Sequence, residues 1–267
     1  MRFGPIGNDG WVSCIAILHP GQMGAEVGRV LVEAGHDVGW LPAGRGPGTR
    51  RRADEAGLNE IEDLRDREIV LSVCPPAAAV DTARHAHGFR GLYVDANAIS
   101  PSRAAEVSSV VQDEGADYVD AGIVGPPPHR SGTTRLYLSG PYADRIASVF
   151  EGTRIESVVI PGSATAASAL KMTYAAWTKI TSALLVSISE VAERLGVTDE
   201  LARECALSQP DLADRHAHAA SAAHAKGWRW SAEMSEVARA FAEAGQPAGF
   251  AVAAAELFAR LPRPPDD

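Results

Sequence analysis

The chain has 267 residues and a mass of 28.1 kDa, a length between one and two domains at roughly 150 residues each. Its 46% hydrophobic and 22% charged residues are those of a folded globular protein and exclude disordered, collagen-like and coiled-coil classes. A formal net charge of −9 argues against nucleic acid or an anionic membrane surface as partner.

Cys14, Cys74 and Cys205 stand far apart with no C-x-x-C pair, so neither a disulfide framework nor a zinc site is expected, and a reducing, cytoplasmic location follows. The amino terminus carries only a short apolar run, Trp11 to Leu18, far below the roughly 18 residues of a membrane span. No targeting segment is expected. The pairs His85/His87 and His216/His218 have no carboxylate or cysteine beside them and read as surface residues, so no metal site is expected.

In chain order, short apolar runs at Cys14–Leu18, Asp37–Leu41, Ile69–Cys74, Leu92–Val94, Tyr118–Ile123, Leu136–Leu138 and Val158–Ile160 predict strands. Helical stretches between them, at Met23–Ala34, Ala77–Ala86, Pro101–Glu114 and Tyr142–Phe150, make the pattern one of parallel βαβ units. This predicts an α/β, doubly wound, Rossmann-type domain over residues 1–162. Beyond Pro161-Gly162 no alternating run occurs, and residues 163–267 read as a small all-α domain. Its first helix carries Leu170, Tyr174, Trp177, Thr181, Leu184, Ile188, Val191 and Leu195 at spacings of three and four, a packing stripe for its own domain or a partner subunit. Further helices are predicted at Asp199–Leu207, Pro210–Ala225, Ser231–Ala244 and Phe250–Leu261.

The first strand runs into His19-Pro20-Gly21-Gln22-Met23-Gly24 and then an amphipathic helix. Such a turn lets backbone amides and the positive helix end meet a pyrophosphate. Relative to G-x-G-x-x-G, His19 occupies the first glycine position; an ordinary βα loop with two glycines is the alternative. After the second strand, where an NAD site presents an acid to the ribose, stand Gly44 and Arg45, followed by Thr49, Arg50, Arg51 and Arg52. A guanidinium there suits a 2′-phosphate, favouring NADP (NADPH) over NAD, unless the arginine run is simply a solvated loop.

Only three lysines occur, Lys171, Lys179 and Lys226. Lys171, in an early turn of the long helix, suits general acid/base chemistry if burial and a helix terminus disfavour its ammonium form; a solvated side chain fits the same position.

Together the glycine turn, Asp95-Ala96-Asn97-Ala98-Ile99-Ser100-Pro101, Asp120-Ala121-Gly122-Ile123-Val124-Gly125 and the lysine helix resemble the β-hydroxyacid dehydrogenase superfamily. Within it the chain is most similar to a 6-phosphogluconate dehydrogenase-like NAD(P)-binding oxidoreductase branch with a short helical C-terminal domain. The resemblance implies a Rossmann domain, a long interdomain helix, a helical substrate and dimerisation domain, and hydride transfer with a nicotinamide cofactor.

It also implies site residues. Gly21 and Gly24 match the phosphate turn, Arg45 the arginine of NADP preference, and Cys74 and Pro75 a loop bordering the cofactor. Asn97 falls where relatives carry a Ser-Thr pair that touches substrate, and Val124-Gly125-Pro126 where they carry Ser-Gly-Gly. Lys171 matches the catalytic lysine, with Ala175 in place of the usual asparagine four residues on. Tyr174 and Trp177 could line a less polar pocket, although core packing explains both, as helix packing explains Trp228, Trp230 and Met234. The expectation is an NADP-dependent oxidoreductase acting on a small carbonyl or secondary alcohol, with Lys171 as general acid/base and a homodimer as the assembly. Imine reduction on the same fold and a non-catalytic dinucleotide-binding scaffold or sensor are the alternatives.

Overall fold

The computed structural model describes residues 12–263; Trp11, which opens the first apolar run, lies outside them. The chain divides into two compact units, one ending at Ala169 and the other beginning at Leu170.

The first unit is built on one sheet. Strands β1 (Cys14–Leu18), β2 (Asp37–Trp40), β3 (Asn59–Glu60), β4 (Ile69–Ser72), β5 (Leu92–Asp95), β6 (Asp117–Val124), β7 (Thr134–Ser139) and β8 (Ile155–Val159) lie in the order β3-β2-β1-β4-β5-β6-β7-β8. Every neighbouring pair is parallel except β6 with β7. The alternation along β1 shows why both faces are covered. Ile15 and Ile17 enter one core with Leu31 and Trp40, while Ala16 and Leu18 enter another with Val70, Phe89 and Tyr93.

Helices α1 (Gln22–Glu33), α2 (Pro47–Glu55), α3 (Ala79–Arg84), α4 (Pro101–Asp113) and α5 (Ala143–Val149) occupy the connections. The chain passes from β1 to β2 on one side and returns to β4 on the other, so the order reverses at β1, where Leu18 pairs with Ser72. A crevice outside the carboxyl ends of strands at such a reversal is the usual ligand position in this architecture.

Two elements depart from expectation here. The arginine run is no loop: Pro47 at the first turn and good helix formers after it make α2. Residues Asn59–Glu60 add a short edge strand that carries no apolar signal because both are exposed.

In the second unit the long helix is continuous but not uniform. It runs as α6 (Ala166–Ala175), whose first residues still belong to the first unit, then a wide π-helical turn over Ala176–Ile180, then α7 (Thr181–Leu195). Gly196 closes it in the left-handed conformation. Helix α8 (Thr198–Ser208) follows, then α9 (Leu212–Glu243) and α10 (Gly249–Ala259).

Residues Pro210–Ala225 and Ser231–Ala244, expected as two helices, are parts of one, α9. The intervening Gly227 is not a break but a close approach, since a Cβ there would lie 2.5 Å from Leu261 Cδ1 and 3.4 Å from Phe258 Cδ1. Among the described residues, no helix is long and apolar enough to cross a membrane, and no group of three or more His, Cys, Asp or Glu is placed to hold a metal ion.

Candidate nucleotide turn and lysine cluster

The turn after β1 is shaped by His19. It is the one non-glycine residue among those described with a positive φ, +69°, so it adopts the backbone that the first position of a dinucleotide turn needs. A left-handed residue with a side chain costs about 1 kcal/mol or more. Gly21 N donates to His19 O at 2.7 Å and Gly21 caps α1. No side chain caps that helix and no acidic residue stands in its first turn, so the amino end of α1 keeps its positive character. Gly24 allows the helix to approach β1: a Cβ there would lie 2.8 Å from His19 O and 3.5 Å from Ile17 Cγ2. These are the features of a cradle for a pyrophosphate.

Arg45 is brought to this turn. Its Nη1 lies 2.7 Å from His19 Nδ1, and because a guanidinium only donates, Nδ1 accepts and the imidazole proton sits on Nε2. Burial first, then the charges of Arg45 and Arg52, hold His19 below its usual 6.5. Arg52, absent from the expected site, reaches Pro20 O at 3.5 Å and Thr49 Oγ1 at 3.3 Å. Arg50 instead pairs with Glu60 at 2.7 Å and lies over the Trp40 ring, and Gly44 turns the β2–α2 loop at a φ of +72°. The His19-to-Gln22 turn, Arg45 and Thr49 thus gather in one region, whereas Arg50 turns to the sheet edge.

A polar network locks the neighbouring strand ends. Asn97 Oδ1 accepts from Cys74 N at 2.6 Å, and its amide donates to Ser72 Oγ at 3.0 Å and to Asp95 Oδ1 at 2.6 Å. Asn97 is 2% exposed, so the side chain expected to touch cofactor and substrate is instead a clasp between the β4 and β5 loops. Pro75, next in that loop, is exposed, and burial pushes the Cys74 thiol up.

Asp95 is fully enclosed. Burial, reinforced by Asp120 and opposed by the hydrogen bonds from Asn97, pushes it up to about 7. Asp120, one strand over in register, is also raised by burial, and accepts from Ser139 Oγ at 3.0 Å and from Ser168 N at 2.8 Å. In the sequence both carboxylates stand only as the first residues of the two segments that carry the family resemblance, with no role of their own, because an aspartate at a strand end is ordinarily solvated. Val124 ends β6 in the core. Gly125 turns at a φ of +120°, where a side chain would collide with the carbonyl of Thr133, and Thr134 Oγ1 donates to Pro126 O at 2.6 Å. The Val124-Gly125-Pro126 loop is thereby held by backbone contacts.

In the second unit Lys171 and Lys179 converge on Glu233 of α9. Lys171 Nζ lies 3.6 Å from Glu233 Oε1 and Lys179 Nζ 2.8 Å from Oε2, with side-chain exposures of 18%, 14% and 12%. Burial would raise Glu233, but the two ammonium groups hold it below the usual carboxylate range. Lys179 is lowered, chiefly by burial. The wide turn brings the lysines together. At about 100° per residue, eight positions would set them about 80° apart around a regular helix, and taking up one residue in the π turn reduces this to about 20°.

Lys179 and Lys226 both lie near the Trp230 ring, at 5.7 and 6.0 Å, and Trp230 meets Phe258 edge-on at 5.1 Å. Met234 is fully buried, in keeping with its reading as packing. Tyr174 and Trp177, read as core, are exposed, Trp177 at 70%. The buried side of this helix is made of Met172, Ala175, Ala176 and Ala183, small residues that admit close helix packing and leave the larger apolar stripe outward. Ala175 therefore lies in the packed face. Glu233 was missed because an isolated glutamate on a helix has no local signal; the scarcity of lysine was the available clue.

Residues 192–261 match the model of a domain of unknown function, DUF1932. An uncharacterized 28.5 kDa protein encoded in a 7S RNA 5′ region of Methanothermus fervidus is 29% identical over 163 residues, 59% of this chain. The chain spans 62% of the length of that curated relative. The solved structure of MTH1747, a conserved protein of unknown function with structural similarity to 3-hydroxyacid dehydrogenases, is 26% identical, covers 92% of this chain and 95% of its own, and superposes with a TM-score of 0.71. The fold is also that of 3-hydroxyisobutyrate dehydrogenase from Mycobacterium tuberculosis, determined with L-serine, at 19% identity, 94% coverage of each chain and a TM-score of 0.72.

Proposed function

We propose that the chain is a member of the β-hydroxyacid dehydrogenase superfamily and, within it, an NADP(H)-dependent oxidoreductase acting on a small carbonyl or secondary alcohol, with Lys171 as general acid/base. The 26% identity to the MTH1747 structure over 92% of the chain supports the family. The observation that carries the nucleotide assignment is the β1–α1 turn itself. A glycine-walled cradle at an uncapped helix end has Arg45 held 2.7 Å from its first residue, His19.

The residues present fit such a cofactor. Backbone amides around Gly21 and Gly24 would hold the pyrophosphate, and Arg45, with Arg52 beside it, would pair with a 2′-phosphate through charge-assisted bonds. The bound dinucleotide supplies the hydride chemistry. The contribution of the chain is a proton: the Lys171 amine gives one to the substrate oxygen in reduction and takes one in oxidation. Glu233, 3.6 Å away, steadies that amine.

Titration of cofactor fluorescence tests the assignment without a substrate. NADPH binds more tightly than NADH by about tenfold or more, equivalent to about 1.4 kcal/mol, and Arg45→Ala removes most of that difference. Equal affinities in the parent protein overturn the NADP reading. With a panel of 2-oxo acids and ketones, Lys171→Met keeps NADPH binding and loses turnover; a fully active Lys171→Met removes the acid/base role.

The outward stripe of Trp177, Leu184, Ile188, Val191 and Leu195 supports a homodimer, since contiguous apolar faces of this kind are seldom left to water.

A further inference from the structure

Arginine takes 22 of the 25 basic positions in this chain, and lysine only three. Those three are not scattered. Lys171 and Lys179 share the carboxylate of Glu233, and Lys179 and Lys226 lie against the ring of Trp230. Arginine stays charged at any accessible pH, whereas lysine can release its proton. A chain that uses lysine only where three of them meet has kept the releasable cation for one place.

We propose that Lys171, Lys179 and Glu233 work as a single acid/base unit, in which Glu233 is the residue that positions the Lys171 amine and Lys179 is a second cation competing for the same carboxylate. The proposal rests on the assignment of Lys171 above and adds two residues to it. Three observations carry it.

The first is stoichiometry. One carboxylate faces two largely enclosed ammonium groups, so the cluster holds one positive charge more than it can pair, and the charge of Lys171 helps weaken the hold of Lys179 on its proton. The second is asymmetry. Glu233 Oε2 is engaged by Lys179 at 2.8 Å, while Oε1 is buried, makes no hydrogen bond, and has Lys171 at 3.6 Å. The Lys171 amine is therefore held by charge yet not fixed by a short bond, which leaves its protons available to a substrate oxygen. The third is the π turn at Ala176–Ile180, an interruption of an otherwise regular helix whose geometric effect is to bring Lys179 onto the side of Lys171. Turns of this kind cost helix hydrogen bonding and recur at functional positions. The charged groups facing Lys179 are Lys171 from its own helix and Glu233 and Lys226 from α9.

The small lysine count makes the test direct. Protein grown with 13Cε-lysine gives three signals, assigned by Lys171→Met, Lys179→Met and Lys226→Met. Lys171→Met raises the proton affinity of Lys179 by about tenfold, one unit in its titration midpoint. Lys171→Arg, which keeps the cation, leaves it near the parent value, and the isosteric Glu233→Gln lowers it. A Lys179 midpoint that is the same in all four proteins, each shown folded by circular dichroism, overturns the unit.

The kinetic arm uses NADPH oxidation with whichever carbonyl of the panel is turned over. Glu233→Gln lowers kcat at least tenfold with NADPH affinity kept, Glu233→Asp restores part of it, and Lys179→Met moves a limb of the pH profile of kcat. If Lys171→Met is inactive while Glu233→Gln and Lys179→Met keep the parent profile, Lys171 acts alone and the unit is refuted. If Lys171→Met keeps turnover, the acid/base assignment itself fails, whatever the lysine titrations show.

Discussion

Arg45 donates from Nη1 to Nδ1 of His19 at 2.7 Å, across 26 positions of sequence. The pairing links the two residues that depart most from a glycine-rich NAD turn: a histidine where the backbone needs a left-handed residue, and an arginine where the second strand would offer an acid. Each departure accounts for the other. His19 tolerates φ +69° because its ring is tethered, and Arg45 is kept beside the turn because a neutral imidazole is there to accept from it.

Replacing His19 with glycine separates conformation from recognition. His19→Gly relieves the left-handed backbone, so thermal stability is unchanged or rises by about 1 kcal/mol, while the preference for NADPH over NADH falls as Arg45 loses its partner. A melting curve and paired cofactor titrations check this, and a variant that loses stability and keeps the preference contradicts it. The folded-state affinity of His19 for a proton is below its usual value. Its stabilising contribution is therefore present above 6.5 and lost as pH falls through the lower folded value, a loss that His19→Gly abolishes.

Asp95 predicts the opposite sign. Its carboxyl stands at about 7 in the folded chain against an ordinary 3.8, so the folded state holds the proton more tightly than the unfolded state. The associated stability is complete below pH 4 and is lost as pH rises to 7, a change on the order of 4 kcal/mol. Asp95→Asn keeps an oxygen to accept from Asn97 and removes the titration. The expected outcome of denaturant melts from pH 4 to 8 is a flatter profile than the parent's and higher stability at pH 8.

The close approach of α1 to β1 makes Gly24 intolerant. In Gly24→Ala the new methyl meets His19 O at 2.8 Å, and since that atom is backbone the turn itself must move. A cost of about 1–3 kcal/mol and at least a tenfold loss of NADPH affinity are expected, measured by urea denaturation and fluorescence titration. Gly227→Ala also meets an atom too closely, Leu261 Cδ1 at 2.5 Å, but a side-chain tip can rotate, so its cost is smaller and NADPH affinity is unaffected.

The outward stripe of the long helix predicts an assembly. Leu184 and Leu195 are 55% and 70% exposed in the single chain. Light scattering of the parent protein gives twice the mass of one chain, and Leu184→Glu with Leu195→Glu halves it with helix content retained. A parent protein that is monomeric at every concentration removes the dimer.

Much of the first unit was legible because its signals are local. The continuous apolar run of β1, the glycines after it, and Pro101 at the start of α4 each act within a few residues. The second unit was legible as helices but not as faces. A three-and-four spacing reports that a stripe exists, while the side on which the chain packs was set by Ala175, Ala176 and Ala183, whose small size gives no hydrophobic signal. The single helix α9 was expected as two, and its continuity through Gly227 rests on the close packing there against Leu261 and Phe258, contacts with residues more than thirty positions away.

By itself, then, the order of residues determined the strand and helix alternation, the glycine turn, the missing acid after β2 and the rarity of lysine, all of them properties of neighbours along the chain. Only the tertiary structure decided that Arg45 rests on His19, that Asn97 clasps Ser72 and Cys74, and that Lys171 and Lys179 share Glu233. Those relationships join residues from different elements, and a charge or a hydrogen bond acts through the few ångströms between side chains, which the spacing of letters does not record.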